Sequence, residues 1–174
     1  MEIVTARLRL DALRREDAEA LFRYRGDPAV SRYQGWKPAS VTDAEHFIEA
    51  QDGVAPDTPG AWWQRAIRRR DPDELIGDLG LHFLDDATVE LGISLAPAHQ
   101  RRGLAREAVE VMLDFVFGGL RKQRVIALVD PRNTPCIRLL EGLGMRRTSG
   151  QADPAMFVLQ AREWLATPDD ASDR

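Results

Sequence analysis

The segment from Gln100 to Arg106 carries groups that suit an anion, in the order Gln-Arg-Arg-Gly-Leu-Ala-Arg. It lies between a predicted strand and a predicted helix, where unpaired backbone N–H groups and the helix dipole supply partial positive charge. Gly103 allows a ligand to approach the backbone closely, and Arg101, Arg102 and Arg106 add formal charge. Together these features predict a pyrophosphate site, and the alternative is a solvated basic helix start. The dinucleotide pattern G-x-G-x-x-G and the P-loop pattern are both absent from the segment.

Glu90 is a second residue that could do chemistry, because it is the carboxylate of an otherwise apolar strand. Residues 88–95 alternate strictly, with Glu90 and Gly92 on the more polar face. If Glu90 is partly buried, it could accept a proton as a general base. A solvent-facing carboxylate or a structural ion pair with an arginine explains the residue equally well.

The elements that must position these residues can be predicted from periodicity. Alternation predicts strands at 3–13, 62–68, 74–84 and 88–95, and apolar runs predict strands at 124–129 and 155–159. Helical spacing predicts helices at 16–25, 43–51 and 103–117. A further helix begins near Thr134, which suits an N-cap, and ends at Gly144. This order indicates one mixed α/β domain with a mostly antiparallel, twisted sheet of about six to seven strands flanked by helices.

Composition limits the possible functions. The chain has 174 residues, 44% of them hydrophobic, and a net charge of −4, which argues against a general nucleic-acid binder. One cysteine excludes an internal disulfide, and His46, His82 and His99 show no metal-ligand spacing, so no metal is expected. No segment is long and apolar enough for a membrane helix, and the N-terminus lacks signal-peptide order. We expect a cytoplasmic protein, a monomer or homodimer, with a disordered tail at 167–174.

The sequence also resembles a known family, the GCN5-related N-acetyltransferases. Gln100–Ala105 matches the family's Q/R-x-x-G-x-G/A loop, and residues 90–93 are placed like its central strand. Within the family, the branch that acetylates ribosomal-protein N-termini is the most similar. The segments that resemble this branch are 5–10, 106–108, 133–145 and 163–164. The resemblance covers nearly the whole chain and implies one such domain over residues 1–166.

The resemblance implies a donor, acetyl-CoA, and a set of residues that hold it. Its pyrophosphate would lie on the loop formed by Gln100, Arg101, Arg102, Gly103, Leu104, Ala105 and Arg106. Backbone groups at Ile93 and Leu95 would hold the pantetheine arm, and Asn133 would hold the arm or the thioester. Asn133 could otherwise be a turn-forming residue that precedes a helix.

Cys136 stands where the ribosomal-protein branch usually has Ser, a residue implicated there as proton donor to CoA. The thiol lies in the first turn of a predicted helix, where the dipole is expected to lower its pKa. The alternative is a small buried apolar residue. The tyrosine that the family usually has near Leu140 is missing.

The acceptor pocket is implied to involve the early segment with Tyr33 and Trp36. Trp62 and Trp63 are adjacent, so in a strand one faces the core and the other could face the acceptor. The implied reaction is direct transfer of acetyl to a primary amine through a tetrahedral intermediate. The acceptor would be a protein N-terminal amine or a small-molecule amine. A non-catalytic acyl-CoA-binding or sensing module of the same fold remains the alternative.

Overall fold

The computed structural model of the chain describes residues 1–148 and 153–166; the predicted tail at 167–174 lies outside them. The strands are β1 Ile3–Val4, β2 Leu8–Asp11, β3 Trp62–Arg70, β4 Asp73–Phe83, β5 Thr88–Leu95, β6 Arg124–Val129, β7 Arg146–Arg147 and β8 Ala155–Gln160. The helices are α1 Ala18–Gly26, α2 Pro28–Ser31, α3 Val41–Glu49, α4 Leu104–Asp114, α5 Thr134–Gly142 and α6 Ala161–Leu165. A π-helical turn, Phe115–Gly119, continues α4.

The strands form one mixed sheet in the order β1-β2-β3-β4-β5-β6-β8-β7. Every pairing is antiparallel except the one between β5 and β6, which α4 connects as a crossover. This parallel pairing covers three residue pairs, from Thr88 with Arg124 to Glu90 with Ile126. β5 then continues to Leu95 beside β4, and β6 continues to Val129 beside β8. The two central strands therefore diverge beyond Glu90.

Each face of the sheet is covered by a different set of helices. The face that carries Val89 and Leu91 packs against the apolar side of α4, including Val109 and Met112, and against Leu140 of α5. The opposite face carries Ala66, which packs with α1 and α3 in a second, smaller cluster. Because α1–α3 and α4–α5 lie on opposite faces, the gap between β5 and β6 is enclosed from both sides.

The predicted α/β fold class is confirmed, and several boundaries differ for identifiable reasons. The predicted strand at 3–13 is two short strands, because Thr5 accepts from the backbone N–H of Leu8 and forms a turn between them. α3 begins at Val41, capped by the Ser40 hydroxyl, which accepts from the backbone N–H of Asp43. The short elements β7 and α6 were not predicted, since two and five residues give too little periodicity to detect.

A buried ion pair attaches α1 to the sheet. The Asp78 side chain, on β4, is 1% exposed and accepts from the guanidinium of Arg25. It also accepts from the Tyr24 hydroxyl at 2.6 Å. Burial, then the neighbouring carboxylate, raises the pKa of Tyr24 well above its ordinary value, so the phenol stays a donor. The pair fixes where α1, and the α2 segment after it, sit over the sheet.

Removing Asp78 is expected to destabilise the fold strongly, because it leaves the buried guanidinium of Arg25 without its counter-charge. We expect Asp78→Ala to lower the free energy of unfolding by about 3–5 kcal/mol, measured by urea titration. The control is Glu19→Gln, which breaks the exposed Arg23–Glu19 pair on the same helix and should cost at most about 1 kcal/mol. Similar small losses in both variants would contradict this assignment.

Candidate functional site

A cavity of about 980 Å³ opens where β5 and β6 diverge. Leu91 to Leu95 line one side and Ala127 to Asp130 line the other. One end is formed by the loop before α4, and the first turns of α5 and the α2 segment close the remaining walls. The cavity thus contains the part of β5 that has left its partner strand and the loop that the sequence singled out.

The loop before α4 has the geometry of an anion site. Gly103 is the N-cap of α4 and has a φ of +76°, a conformation that favours glycine. Gln100, Arg101, Gly103, Ala105 and Arg106 all line the cavity. The helix behind them has 11 residues, so its first N–H groups and its dipole favour an anion at this end.

Two of the predicted loop residues occupy other places. The side chain of Leu104 is 3% exposed and lies in the main core, so its backbone alone can contribute to the site. Arg102 is exposed and is not among the residues that line the cavity, although its carbonyl accepts from Nη1 of Arg7 at 2.9 Å. Arg138 of α5, which the sequence analysis did not select, lines the cavity and adds a further positive charge.

Two residues that are distant in the sequence from this loop, Thr5 and Arg7, form with Glu107 a brace that holds the loop in place. Glu107 of α4 accepts from the Thr5 hydroxyl at 2.5 Å and from Nε of Arg7 at 2.6 Å. Burial opposes ionisation of Glu107, but these hydrogen bonds and the Arg7 charge prevail and lower the pKa of its carboxyl. A methyl group on Gly103 would lie 3.3 Å from Nη2 of Arg7, so the brace sits directly against the glycine. Sequence reasoning missed it because its members are about one hundred positions apart.

The diverging part of β5 presents a polar group with no partner. The Ser94 side chain lines the cavity, is buried at 4% exposure, and its hydroxyl makes no hydrogen bond within the described residues. Ile93 and Leu95 also line the cavity, and the Leu95 carbonyl accepts from Nε2 of Gln100 at 2.9 Å. That hydrogen bond joins the loop to the strand, and the second lone pair of the carbonyl oxygen can still accept a hydrogen bond. An occupant that donates a hydrogen bond would satisfy Ser94.

Asn133 and Cys136 meet at the start of α5, where both line the cavity. The N-cap of this helix is Asn133 and not the predicted Thr134, because the Asn133 side chain accepts from the backbone N–H of Cys136 at 3.3 Å. The predicted lowering of the Cys136 pKa is wrong in direction. Burial raises the pKa of the thiol to about 11.

Glu90 lies at the point where the strands begin to diverge, within a small cluster of three side chains. Its Oε2 lies 3.3 Å from Nδ1 of His82, which is its register partner on β4. Trp62 of β3 stacks on His82 with ring centroids 4.8 Å apart. Trp63 is buried in the main core, so the predicted division of the two tryptophans between opposite faces is confirmed. The ion pair with an arginine that the sequence left open is not formed within the described residues, where the partner of Glu90 is His82.

The two predicted acceptor residues are separated. Tyr33 lines the cavity, and its hydroxyl donates to the Arg132 carbonyl at 3.4 Å. Trp36 is not among the cavity-lining residues. It stacks on Phe47 of α3 at 4.4 Å, and the Arg25 guanidinium lies 5.4 Å from its ring. Trp36 therefore packs beside the buried Arg25–Asp78 pair and does not line the cavity.

Within residues 1–148 and 153–166, no group of three or more metal-ligating side chains comes together. None of the helices in this part of the chain is long and apolar enough to cross a membrane.

Comparison with known proteins identifies a family. The model of the acetyltransferase (GNAT) domain matches residues 7–146. The N-acetyltransferase p20 of Bacillus licheniformis is 33% identical over 175 residues, a match that covers 93% of this chain and 97% of p20.

Solved structures share the fold. A GNAT-family acetyltransferase from Bacillus anthracis superposes with a TM-score of 0.82 at 24% identity, covering 94% of this chain and all of that one. A spermidine N-acetyltransferase from Vibrio cholerae, in complex with CoA and spermine, has a TM-score of 0.77 at 19% identity, with 92% and 99% covered. RimJ of Mycobacterium smegmatis, in complex with CoA-disulfide, has a TM-score of 0.76 at 20% identity, with 90% and 83% covered.

The raised pKa of Cys136 makes the thiol slow to react with an alkylating agent near neutral pH. With a pKa of about 11, we expect iodoacetamide to react on the order of 100-fold more slowly at pH 8 than with free cysteine, and the rate to keep rising with pH. Mass spectrometry measures the rate, and Cys136 is the one cysteine of the chain, so no other thiol interferes. Urea-unfolded protein is the control and should react like free cysteine. A fast rate that levels off by pH 8 would show a lowered pKa instead.

Proposed function

Because the chain belongs to the GNAT family of N-acetyltransferases, we propose that it transfers an acetyl group from acetyl-CoA to a primary amine by direct attack of the amine on the thioester. The proposal rests on two structural features that meet in one cavity. A strand leaves its parallel partner after Glu90, and a glycine-capped helix start closes the end of the resulting gap.

The residues present fit the donor. The loop with Gly103, Arg101 and Arg106 offers backbone N–H groups and positive charge to a pyrophosphate. The partnerless hydroxyl of Ser94 and the backbone of residues 91–95 suit an arm that carries amide groups. In the proposal Ile93 and Leu95 hold this arm, and the cap at Asn133 fixes the wall opposite.

Glu90 is proposed as the group that takes the proton from the acceptor ammonium, since an amine must be neutral to attack a carbonyl carbon. Glu90 is the last residue of β5 that pairs with β6, and this position beside the gap supports the role. One carboxylate oxygen is engaged by His82, and the other makes no hydrogen bond with the described residues.

Cys136 is proposed to assist the departing CoA sulfur by donating a hydrogen bond. A full proton transfer from a thiol with a pKa of about 11 to an ordinary thiolate of pKa ~8.5 is uphill by about 3 kcal/mol. The same raised pKa keeps the S–H group protonated at neutral pH, so it remains a weak donor.

The proposed acceptor is a primary amine, either a protein N-terminus or a small molecule. Both kinds have support among proteins of this fold, since the structural neighbours include a spermidine N-acetyltransferase and a putative ribosomal-protein-serine acetyltransferase from Vibrio cholerae. The resemblance to the branch that acetylates ribosomal-protein N-termini favours the first kind.

Incubation with acetyl-CoA and a panel of primary amines tests the transfer itself. Free CoA thiol is followed with a chromogenic disulfide, and the acetylated amine is identified by mass spectrometry. Thiol release that depends on an amine supports the proposal. Binding of acetyl-CoA without release on any amine would contradict it and favour a non-catalytic module.

Substitution of Gly103 is expected to weaken acetyl-CoA binding. Gly103→Ala places a methyl group 3.3 Å from Arg7 at a φ that L-residues rarely adopt, so the loop must shift. We expect the dissociation constant, measured by isothermal titration calorimetry, to rise about 10-fold or more for a loss of about 1.4 kcal/mol.

Gly60→Ala is the matched control for this substitution. Gly60 has a φ of +72° with open space around its Cβ position, so its alanine variant carries the same backbone strain away from the site. Its affinity for acetyl-CoA should stay at the wild-type value. Equal affinities in both variants would place the donor elsewhere.

A further inference from the structure

One end of the sheet face that carries Glu90 is left open by the helices. α1 and α3 cover this face around Ala66 and Asp78. Farther along, the same face presents a set of side chains that we call the open face: Trp62, His82, Glu90, Ile126, Leu128, Met156 and Val158. Trp62 on β3, Leu128 on β6 and Met156 on β8 are 37%, 44% and 36% exposed, which is unusual for large apolar side chains on one face of a sheet.

The open face is continuous with the cavity through Gly92. Gly92 lies two positions beyond Glu90 on the same face of β5 and lines the cavity. A methyl group on Gly92 would lie 3.7 Å from Cζ3 of Trp62, so the tryptophan ring borders the empty space above the glycine. An acceptor resting on Trp62 would therefore reach the diverging strand, where the proposed thioester lies.

The charges at this junction suit one cation. Glu90 contributes one carboxylate. Among the residues that line the cavity, the acidic one is Asp130. It is held by the guanidinium of Arg132 in a two-pronged contact, and this hydrogen bonding lowers the Asp130 pKa to about 2. The remaining charged cavity residues are Arg101, Arg106 and Arg138, and on the open face Arg124 donates to Thr88. A ligand with several positive charges would meet arginines where it needs carboxylates.

The surroundings of Glu90 suit an apolar body attached to that cation. Trp62 offers the face of an indole, which attracts an ammonium group and packs against flat apolar groups. On the other side of Glu90, Ile126 and Leu128 of β6 add an apolar surface to the same face.

We propose that the open face is the acceptor subsite and that it takes a small-molecule primary amine with a single positive charge and an apolar or aromatic body. This inference rests on the proposed acetyl transfer. Trp62 binds the body of the amine, and Glu90 takes one proton from its ammonium group. The neutral amine then forms the C–N bond to the thioester carbon, which gives a tetrahedral intermediate. When its C–S bond breaks, the sulfur departs with the electron pair and gains a proton, while the nitrogen loses one to become the amide. The products are the amide, free CoA thiol and one released proton.

His82 is a positioning residue in this scheme. Its imidazole is held between the Trp62 ring and the Glu90 carboxylate, and it engages one oxygen of that carboxylate. The other oxygen makes no hydrogen bond with the described residues, so it is available to the acceptor ammonium. His82 makes no other hydrogen bond with the described residues, so its contacts serve these two neighbours.

The substrate class is tested by comparing amines in the thiol-release assay. The probes are 2-phenylethylamine and hexylamine against putrescine, spermine and an alanyl peptide with a free N-terminus. We expect kcat/KM for the first two to exceed that for the others by at least about 10-fold. Preference for spermine or for the peptide would overturn the proposed class.

Variants of the open face separate binding from proton transfer. Trp62→Ala should raise KM for 2-phenylethylamine with a smaller effect on kcat, and Trp62→Phe should recover most of the loss. Glu90→Gln should lower kcat by about 100-fold or more. His82→Ala should lower kcat and alter its pH profile, whereas His82→Asn, which keeps a donor at the Nδ1 position, should restore much of the rate. Leu84→Ala, an exposed apolar residue at the end of β4, is the control and should leave all parameters unchanged.

A binding measurement distinguishes failure of this inference from failure of the acetyl transfer. Calorimetry with CoA-saturated protein and 2-phenylethylamine reads acceptor binding without turnover. Binding that Trp62→Ala removes supports the subsite even if no amine is acetylated, a result that would refute the proposed function alone. Turnover that is insensitive to both Trp62→Ala and His82→Ala would refute this inference and leave the proposed function standing. Absence of both binding and turnover would refute both.

Discussion

The short parallel pairing between β5 and β6 is the constraint on which the rest of the site depends. Three residue pairs hold the two strands together, and beyond Glu90 each strand follows its antiparallel neighbour instead. A sheet that parts in its middle exposes strand backbone to a cavity, and buried backbone groups must find partners. The gap therefore favours an extended ligand that can hydrogen-bond along a strand.

The other parts of the site follow from where the strands part. The loop after β5 enters α4 at the end of the gap, so a glycine-capped helix start faces whatever fills it. The Arg7–Glu107 brace holds α4 and the loop before it against the turn between β1 and β2, and the Arg25–Asp78 pair holds α1 over the opposite face of the sheet. Each of these is an ion pair with at least one mostly buried partner, and its role is to fix the position of the helix or loop that it holds. Charge is distributed accordingly, with arginines at the loop end and a carboxylate, Glu90, at the place where the strands part.

Local patterns in the sequence predicted most of the elements and the glycine at the start of α4 correctly, because alternation, helical spacing and a glycine before a helix are properties of neighbouring residues. Long-range contacts could not be predicted in this way. The position of Trp36 depends on Phe47 and Arg25, and the partner of Glu90 is a histidine on the adjacent strand. Cys136 shows the same limit, since its place in the first helical turn was predictable, but the burial that raises its pKa depends on the surrounding walls.

In the proposed function, the diverging part of β5 and the loop before α4 bind one ligand, acetyl-CoA. Backbone amide shifts followed by 15N NMR while acetyl-CoA is added measure this binding directly. We expect the largest changes at residues 91–95 and 101–106, with small changes at Thr88 and Val89, which stay paired with β6. Changes centred outside the cavity, or confined to the loop with residues 91–95 unaffected, would contradict this binding mode.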